Sequence, residues 1–322
     1  MTLMIWCNND FSDDQEAERQ LLIRSVGDHR LEFHSRAAND RAKALSALIV
    51  ADVAFGFPDA QAVCESASLR WVQLNAAGYT SFDRDEIRSA LIARGTIVTN
   101  SSDVYHEPCA QHLLAMITGL ARGLPGALVA QRGDRSWGQF IRPTLPLLNG
   151  QTVLLLGFGS IARRLTELLR PLEMNLIALR RDARGDEPLR LITARQLDEA
   201  LPTVDHLVNT LPANDQTVGF VNAELLAKLK PGAIVYNIGR GCTVNQDALI
   251  EALRSGHLAA AYLDVMDPEP LPKDHPLWDA PNCFITPHTG GGHRTEKERQ
   301  VKHFLNNLRR FERGEPLVNR VF

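Results

Sequence analysis

The stretch VLLLGFGSIARRLTELL (153–169) limits what this chain can fold into more than any other. An apolar run enters a glycine-rich turn and leaves as an amphipathic segment, so it reads as strand, turn, helix. Gly157, Gly159 and Ala162 hold the three small positions of G-x-G-x-x-G/A. The first lets the strand turn sharply, the second lets the backbone approach a pyrophosphate, and the third lets helix and strand pack closely. Amides at the start of the helix then face the phosphates. Ile161, Leu165, Leu168 and Leu172 give that helix one apolar face. A glycine fingerprint alone is weak, because tight strand–helix turns also use glycine for packing. The strand before it and the helix after it supply the context that points to a dinucleotide.

The rest of the chain repeats the same alternation. LMIW (3–6), ALIV (47–50), WVQL (71–74) and TIVT (96–99) read as buried strands, with amphipathic helices over 14–26, 59–67 and 83–94. A long helical pattern covers 109–124, and 133–150 shows little periodicity. Further strands are expected at 152–157, 175–179, 206–210, 233–237, 258–265 and 283–287. Asn245 is a plausible N-cap and Gly256 a stop for the helix between them, and 294–313 reads as one amphipathic helix ending at Gly314. This βαβ rhythm predicts an α/β fold of doubly wound parallel sheets with helices on both faces. A length of 322 residues allows about two domains. The break falls near 100–150, and the last helix can return to the first domain.

Composition excludes several classes. At 44% hydrophobic and 23% charged residues the chain is globular rather than disordered. A formal net charge of −3 gives no sign of a nucleic-acid surface. No apolar run approaches the ~20 residues of a membrane span, and the N-terminus lacks the pattern of a signal peptide. Cys7, Cys64, Cys109, Cys242 and Cys283 form no CxxC pair and no metal spacing, so reduced thiols in a cytoplasm, and no metal site, are expected.

Three strands of the second half end in polar residues set among glycine and proline: NIGRG (237–241), LDVMDPEP (263–270) and TPHTGG (286–291). Ligands of open parallel sheets sit outside the carboxyl ends of strands. Arg240, Glu269 and His288 are thus a cation, an anion and an imidazole on the ligand side. The set suits hydride transfer to a 2-keto acid. Arg240 can hold a carboxylate or polarise the keto oxygen. His288 can donate or accept the proton. Glu269 can orient the imidazole and favour its protonated form. Each residue alone reads more simply as a surface or turn residue; their placement at three successive strand ends shifts the balance.

With GFGSIA, NIGRG, LDVMDPEPLP and TPHTGG in order, and HPLWDAPN before the last, the sequence resembles the D-isomer-specific 2-hydroxyacid dehydrogenases, from about Leu69 to the C-terminus. The resemblance implies Arg240, Glu269 and His288 as catalytic residues. It implies that Gly157, Gly159, Ser160, Ile161, Leu211, Pro212, Thr217, Ile238, Gly239, Asp264, Gly290 and Gly291 bind the cofactor, with Asp264 orienting the nicotinamide carboxamide. Ala77 and Gly78, in LNAAGYT, match the loop whose amides bind the substrate carboxylate, beside Arg240 and His288. The implied architecture is a Rossmann cofactor domain at 101–290, inserted in a flavodoxin-like substrate domain at 1–100 plus 291–322. An arm at about 123–150 would exchange between subunits of a homodimer. Trp137 lies in that arm and either reaches the neighbour's active site or anchors the interface. Gln111 and Thr80 stand where the family often has glutamate and aspartate, which bears on the subfamily rather than the reaction.

The cofactor is indicated by LIALRRD (176–182). Arg180 lies 23 positions after Gly157, about where NAD-binding units carry the acid that bonds the ribose hydroxyls. An arginine there removes repulsion of a 2′-phosphate and adds charge-assisted hydrogen bonds to it. Arg181 is adjacent, Arg184 can assist, and Asp182 reads as past the strand end. NADP(H) is therefore expected to be preferred, with NAD(H) possible. Reduction of glyoxylate or hydroxypyruvate is the leading specific expectation. The alternative is a dinucleotide-sensing corepressor of the C-terminal-binding-protein type without turnover, which the absence of long tails disfavours. No membrane or nucleic-acid partner is expected, only a small 2-keto or 2-hydroxy acid.

Overall fold

The structure is a computed structural model of the whole chain, and it describes residues 2–35, 41–137, 144–181 and 187–322. In chain order the elements are β1 (Met4–Cys7), α1 (Glu16–Ser25), β2 (Arg30–Phe33), α2 (Arg41–Val50), β3 (Val53–Gly56), α3 (Ala60–Glu65), β4 (Trp71–Leu74), α4 (Asp85–Arg94), β5 (Ile97–Thr99) and α5 (Ser102–Ala121). They continue with α6 (Leu124–Arg132), β6 (Thr152–Leu156), α7 (Ser160–Leu169), β7 (Asn175–Leu179), β8 (Arg190–Ile192), α8 (Leu197–Ala200) and β9 (His206–Asn209). The last are α9 (Ala223–Lys228), β10 (Ala233–Asn237), α10 (Gln246–Arg254), β11 (Leu258–Leu263), β12 (Cys283–Ile285) and α11 (Glu296–Glu312).

The chain divides into two compact units, Met1–Tyr105 with Gly292–Phe322, and His106–Gly291. The first contains a five-stranded sheet in the order β2-β1-β3-β4-β5, all pairs parallel. That is the flavodoxin-like winding. One face is covered by α2, α3 and α4 through Leu48, Val63, Ile87 and Leu91. The other is covered by α1 and α11 through Leu22, Val301, Phe304 and Leu308. The C-terminal helix thus belongs to the first sheet: the Phe304 ring stacks on Phe55 at 4.3 Å and on Trp71 at 5.3 Å.

The second unit is a seven-stranded parallel sheet in the order β12-β11-β10-β9-β6-β7-β8. Chain order reverses at β6, which pairs with β7 on one side and β9 on the other. Such a switch point opens a crevice at the carboxyl ends of the strands. Apolar side chains fill both faces, Leu165 and Leu169 of α7 on one and Leu249, Ile250 and Leu253 of α10 on the other. Both sheets being buried on two faces explains their near-continuous apolar strands.

Three local expectations fail. ALIV (47–50) is not a strand but the end of α2, and the strand is the next run, VAFG. β2 and β8 went unpredicted, as RLEF and RLI present too little apolar pattern. The segment expected to form the arm, about 123–150, begins with a helix, α6, none of whose residues is buried. Residues 138–143 of the expected arm, and Asp182 and Arg184, lie outside the described residues.

Candidate active site

The site is built on the carboxyl ends of the second sheet. β6 ends at Gly157, whose φ of +85° only glycine adopts easily. Its N–H donates to Leu179 O at 3.2 Å, which fixes the turn against β7. Gly159 is the N-cap residue of α7, Ser160 and Ile161 are its first residues, and Ala162 is fully buried against the sheet. A side chain at Gly159 would meet nothing within 4 Å, so this glycine serves no packing contact. Open space ahead of the N-terminus of a ten-residue helix fits a pyrophosphate. Across β6, a Cβ on Gly239 would lie 2.6 Å from Leu211 O, so the loops carrying Leu211 and Ile238–Gly239 approach backbone to backbone. Thr217 closes the Leu211 loop: its hydroxyl donates to Pro212 O at 2.6 Å.

Arg240 follows β10 on a loop held by buried polar groups. Asn209 Nδ2 donates to Asn237 Oδ1 at 3.0 Å and to Thr243 Oγ1 at 2.6 Å. Asn237 Nδ2 and Thr243 Oγ1 both donate to Arg240 O, at 3.1 and 2.6 Å. Arg240 Nη1 donates to Gly239 O at 2.6 Å, leaving the rest of the guanidinium fork for a ligand. A Cβ at Gly241 would collide with the Met266 carbonyl, so this loop and the one after β11 are in backbone contact.

Glu269 lies on that second loop, where Asp267–Pro268 and Glu269–Pro270 are both cis. Its two carboxylate oxygens have separate duties. Oε1 accepts from Met266 N at 2.9 Å, and Oε2 lies 2.7 Å from His288 Nδ1. His288 has a left-handed backbone, φ +52°. Its N–H donates to Asp264 O at 2.8 Å and Thr286 O at 2.9 Å.

Asp264 holds the turn that presents His288. It is 1% exposed. Oδ1 accepts from Thr286 Oγ1 at 2.6 Å, Thr289 N at 2.9 Å and Gly290 N at 3.0 Å, and Oδ2 accepts from Gly290 N at 2.9 Å. Tyr262 OH donates to Thr286 Oγ1 at 2.7 Å, extending the chain into the core. A Cβ on Gly290 would lie 2.7 Å from Asp264 Oδ2, so this glycine is required by close approach; Gly291 follows it at the end of the unit. Thr286, Asn209, Asn237 and Thr243 were not singled out in the sequence. Polar residues at the ends of apolar strands were the signal for them.

The remaining positions are placed as follows. Arg180 pairs with Glu187 at 3.1 Å, and Arg181 Nη1 donates to Gln216 Oε1 at 3.1 Å. Ala77 and Gly78 follow β4 in the first unit, and Asn100 Nδ2 donates to Ala77 O at 2.8 Å. Trp137 is 84% exposed. Among the described residues no cluster of histidine, cysteine, aspartate and glutamate could hold a metal. Burial pushes the thiols of Cys7, Cys109 and Cys283 up to about 12, which leaves them protonated and poor nucleophiles.

A dinucleotide turn beside an arginine, a glutamate and a histidine defines a nicotinamide-dependent oxidoreductase. Residues 114–290 match the model for "D-isomer specific 2-hydroxyacid dehydrogenase, NAD binding domain", and the chain belongs to the D-isomer specific 2-hydroxyacid dehydrogenase family. It is 32% identical over 270 residues to glyoxylate reductase of Pyrococcus furiosus, covering 81% of this chain and 79% of that one. It is 32% identical over 267 residues to the glyoxylate reductase/hydroxypyruvate reductase of Homo sapiens, covering 79% and 77%. Among solved structures, a D-isomer specific 2-hydroxyacid dehydrogenase from Xanthobacter autotrophicus Py2, in complex with NADPH and MES, superposes with a TM-score of 0.80 at 27% identity. That match covers 100% of this chain and 98% of the other.

Proposed function

We propose that the protein reduces a small 2-keto acid, glyoxylate or hydroxypyruvate, to the 2-hydroxy acid with NADPH. The observation that carries this reading is the 2.7 Å contact of Glu269 Oε2 with His288 Nδ1. It commits one ring nitrogen to the carboxylate and leaves Nε2 to exchange a proton with substrate. The bound nicotinamide would supply or accept the hydride. It would be held by Gly157, Gly159, Ser160, Ile161, Leu211, Pro212, Thr217, Ile238, Gly239, Asp264, Gly290 and Gly291, with Arg180 and Arg181 at the ribose.

The protein's own residues handle charge and protons. Arg240 faces the keto oxygen or carboxylate with the donors not used on Gly239. As negative charge develops on that oxygen, the cationic His288 ring, stabilised by Glu269, delivers the Nε2 proton to it and becomes neutral. The amides of Ala77 and Gly78 are assigned the substrate carboxylate. Glyoxylate and hydroxypyruvate are favoured by the printed names of the relatives above, and NADPH by two arginines where NAD-binding units carry an acid. We also assign a homodimer, formed through the exposed apolar side chains Leu128, Val129, Trp137 and Leu147. A cytoplasmic location agrees with five free cysteines.

A panel of 2-keto acids, each with NADH and with NADPH, tests the reading by loss of reduced-cofactor absorbance. The highest kcat/KM is expected for glyoxylate or hydroxypyruvate with NADPH. No turnover of any keto acid would overturn the reaction, and a higher kcat/KM with NADH would overturn the cofactor choice.

A further inference from the structure

Three successive carbonyls of the loop after β4 are tied to one segment of the first unit, Asn100–Tyr105. Asn75 O accepts from Tyr105 OH at 2.8 Å. Ala76 O accepts from Ser101 N at 3.0 Å, and Ala77 O accepts from Asn100 Nδ2 at 2.8 Å. These peptides are trans. In a planar trans peptide the carbonyl of one residue and the N–H of the next point in opposite directions. Holding the three carbonyls toward Asn100–Tyr105 therefore turns the N–H groups of Ala76, Ala77 and Gly78 away from it. Those three N–H groups meet no acceptor among the described residues, and the residues that carry them are only partly buried. Successive backbone amides left open in this way receive an anion.

The three holds differ in kind. Asn75 O has a second donor, Gln300 Nε2 at 3.1 Å. Ala76 O is held by main chain. Ala77 O depends on a side chain, and among the described residues Asn100 Nδ2 is its one donor. That side chain is itself oriented, because Oδ1 accepts from Ser102 N at 3.2 Å and from Ser102 Oγ at 2.9 Å, which turns Nδ2 to the loop. The main chain of Asn100 is fixed as well: its carbonyl accepts from Gln73 Nε2 at 2.9 Å and lies 3.1 Å from His303 Nε2. Asn100 is buried, so an apolar side chain in its place would strip Ala77 O of its partner.

We propose that Asn100 is a positioning residue for the substrate carboxylate, and that this carboxylate is received by three amides, that of Ala76 as well as those of Ala77 and Gly78. This rests on the keto-acid reading above. Asn100 acts through the loop and not on the substrate. By holding the Ala77 carbonyl it fixes the Ala77–Gly78 peptide, and the N–H at the other side of that peptide is thereby aimed before an acid binds.

The test reads reduction of glyoxylate with NADPH, and its inhibition by oxalate as an unreactive carboxylate. Asn100→Leu removes the donor without adding charge. Asn100→Asp keeps an acceptor for Ser102 but sets a carboxylate against Ala77 O. Both should raise KM for glyoxylate and Ki for oxalate roughly tenfold, the worth of one hydrogen bond to a charged group. Both should keep kcat and the Kd for NADPH within about threefold of wild type, the mark of lost uniform binding. Ser102→Ala disturbs the start of α5 but leaves Asn100 Nδ2 on Ala77 O, and should keep KM within about twofold. An unmoved KM in folded Asn100→Leu and Asn100→Asp proteins would overturn the proposal. So would a Ser102→Ala effect as large as that of Asn100→Leu, or a loss of NADPH affinity matching the loss for glyoxylate, since either makes Asn100 a structural residue only. Failure of the keto-acid reading is visible separately, as a wild-type protein that reduces no 2-keto acid.

Discussion

Replacing Glu269 by glutamine changes one atom and should disable the acid. In the native loop Oε1 is occupied by the N–H of Met266 at 2.9 Å. A glutamine must therefore keep its oxygen there, and its NH2 group is left facing His288 Nδ1 at the site of a 2.7 Å contact. An NH2 group can only donate, so Nδ1 must become the acceptor and the neutral ring must carry its proton on Nε2. The cationic ring, with protons on both nitrogens, would face donor against donor. The variant thus loses a charge-assisted hydrogen bond, typically worth ~1.5–3 kcal/mol. His288 and Glu269 are 54% and 33% exposed, so water screens part of this and the lower end applies, about 1.5–2 kcal/mol. That corresponds to a roughly ten- to thirtyfold loss of kcat for keto-acid reduction. The deficit should narrow as pH falls, because added protons restore the cationic ring by mass action. Oxidation of the hydroxy acid should fail too, since the base nitrogen is already protonated. The assay is steady-state reduction of glyoxylate across a pH series, with cofactor Kd measured by fluorescence and melting temperature as controls. A folded variant with native kcat at neutral pH would show that Glu269 does not act on the imidazole.

Other expectations are simpler. Arg240→Lys keeps the charge but loses the fork, so kcat/KM for the keto acid should fall far more than dinucleotide Kd rises; a normal kcat/KM would make Arg240 structural. Burial of His206 holds its ring at about 4 against an ordinary 6.5, in the neutral form that accepts from Tyr236 OH and donates to Gln151 Oε1. Between those values the unfolded chain binds more protons than the folded one. Stability should therefore drop by up to roughly 3 kcal/mol as pH falls through that window. His206→Gln should flatten the melting-temperature curve there; an unchanged slope would assign the loss to other groups. Sedimentation at micromolar concentration should give about twice the chain mass of 35.7 kDa, and a monomer would refute the assembly assigned to α6 and Trp137.

The second unit was far more legible in the sequence than the first, for a physical reason. Five of its strands are apolar runs of four to six residues, and the site loops follow them with residues of special chemistry, as in AIVYN before IGRG. In the first unit the apolar runs ALIV and VAFG are separated by only two residues, and the sequence reading takes the first of them as the strand. What separates them is which side chains are buried: α2 buries Ala44 and Leu48 but leaves Ile49 and Val50 partly exposed, a helical spacing that a four-residue window misses. Arg240, Glu269 and His288 were visible because each sits among glycines or prolines at a strand end. The pairing of Arg180 with Glu187 was not visible, since it depends on how the chain returns toward β8 and brings back a residue seven positions on. Propensity and spacing carry no information about that return.

The loops that carry Arg240, Glu269 and His288 touch through backbone and buried groups: Gly241 against Met266, and Asp264 against the amides of Thr289 and Gly290. All of these residues belong to one compact unit. The order of the triad is therefore a product of folding and is finished before any substrate arrives. For the proposed substrate, a two- or three-carbon acid that offers few atoms to grip, none of the binding energy would have to be diverted to assembling the proposed catalytic groups.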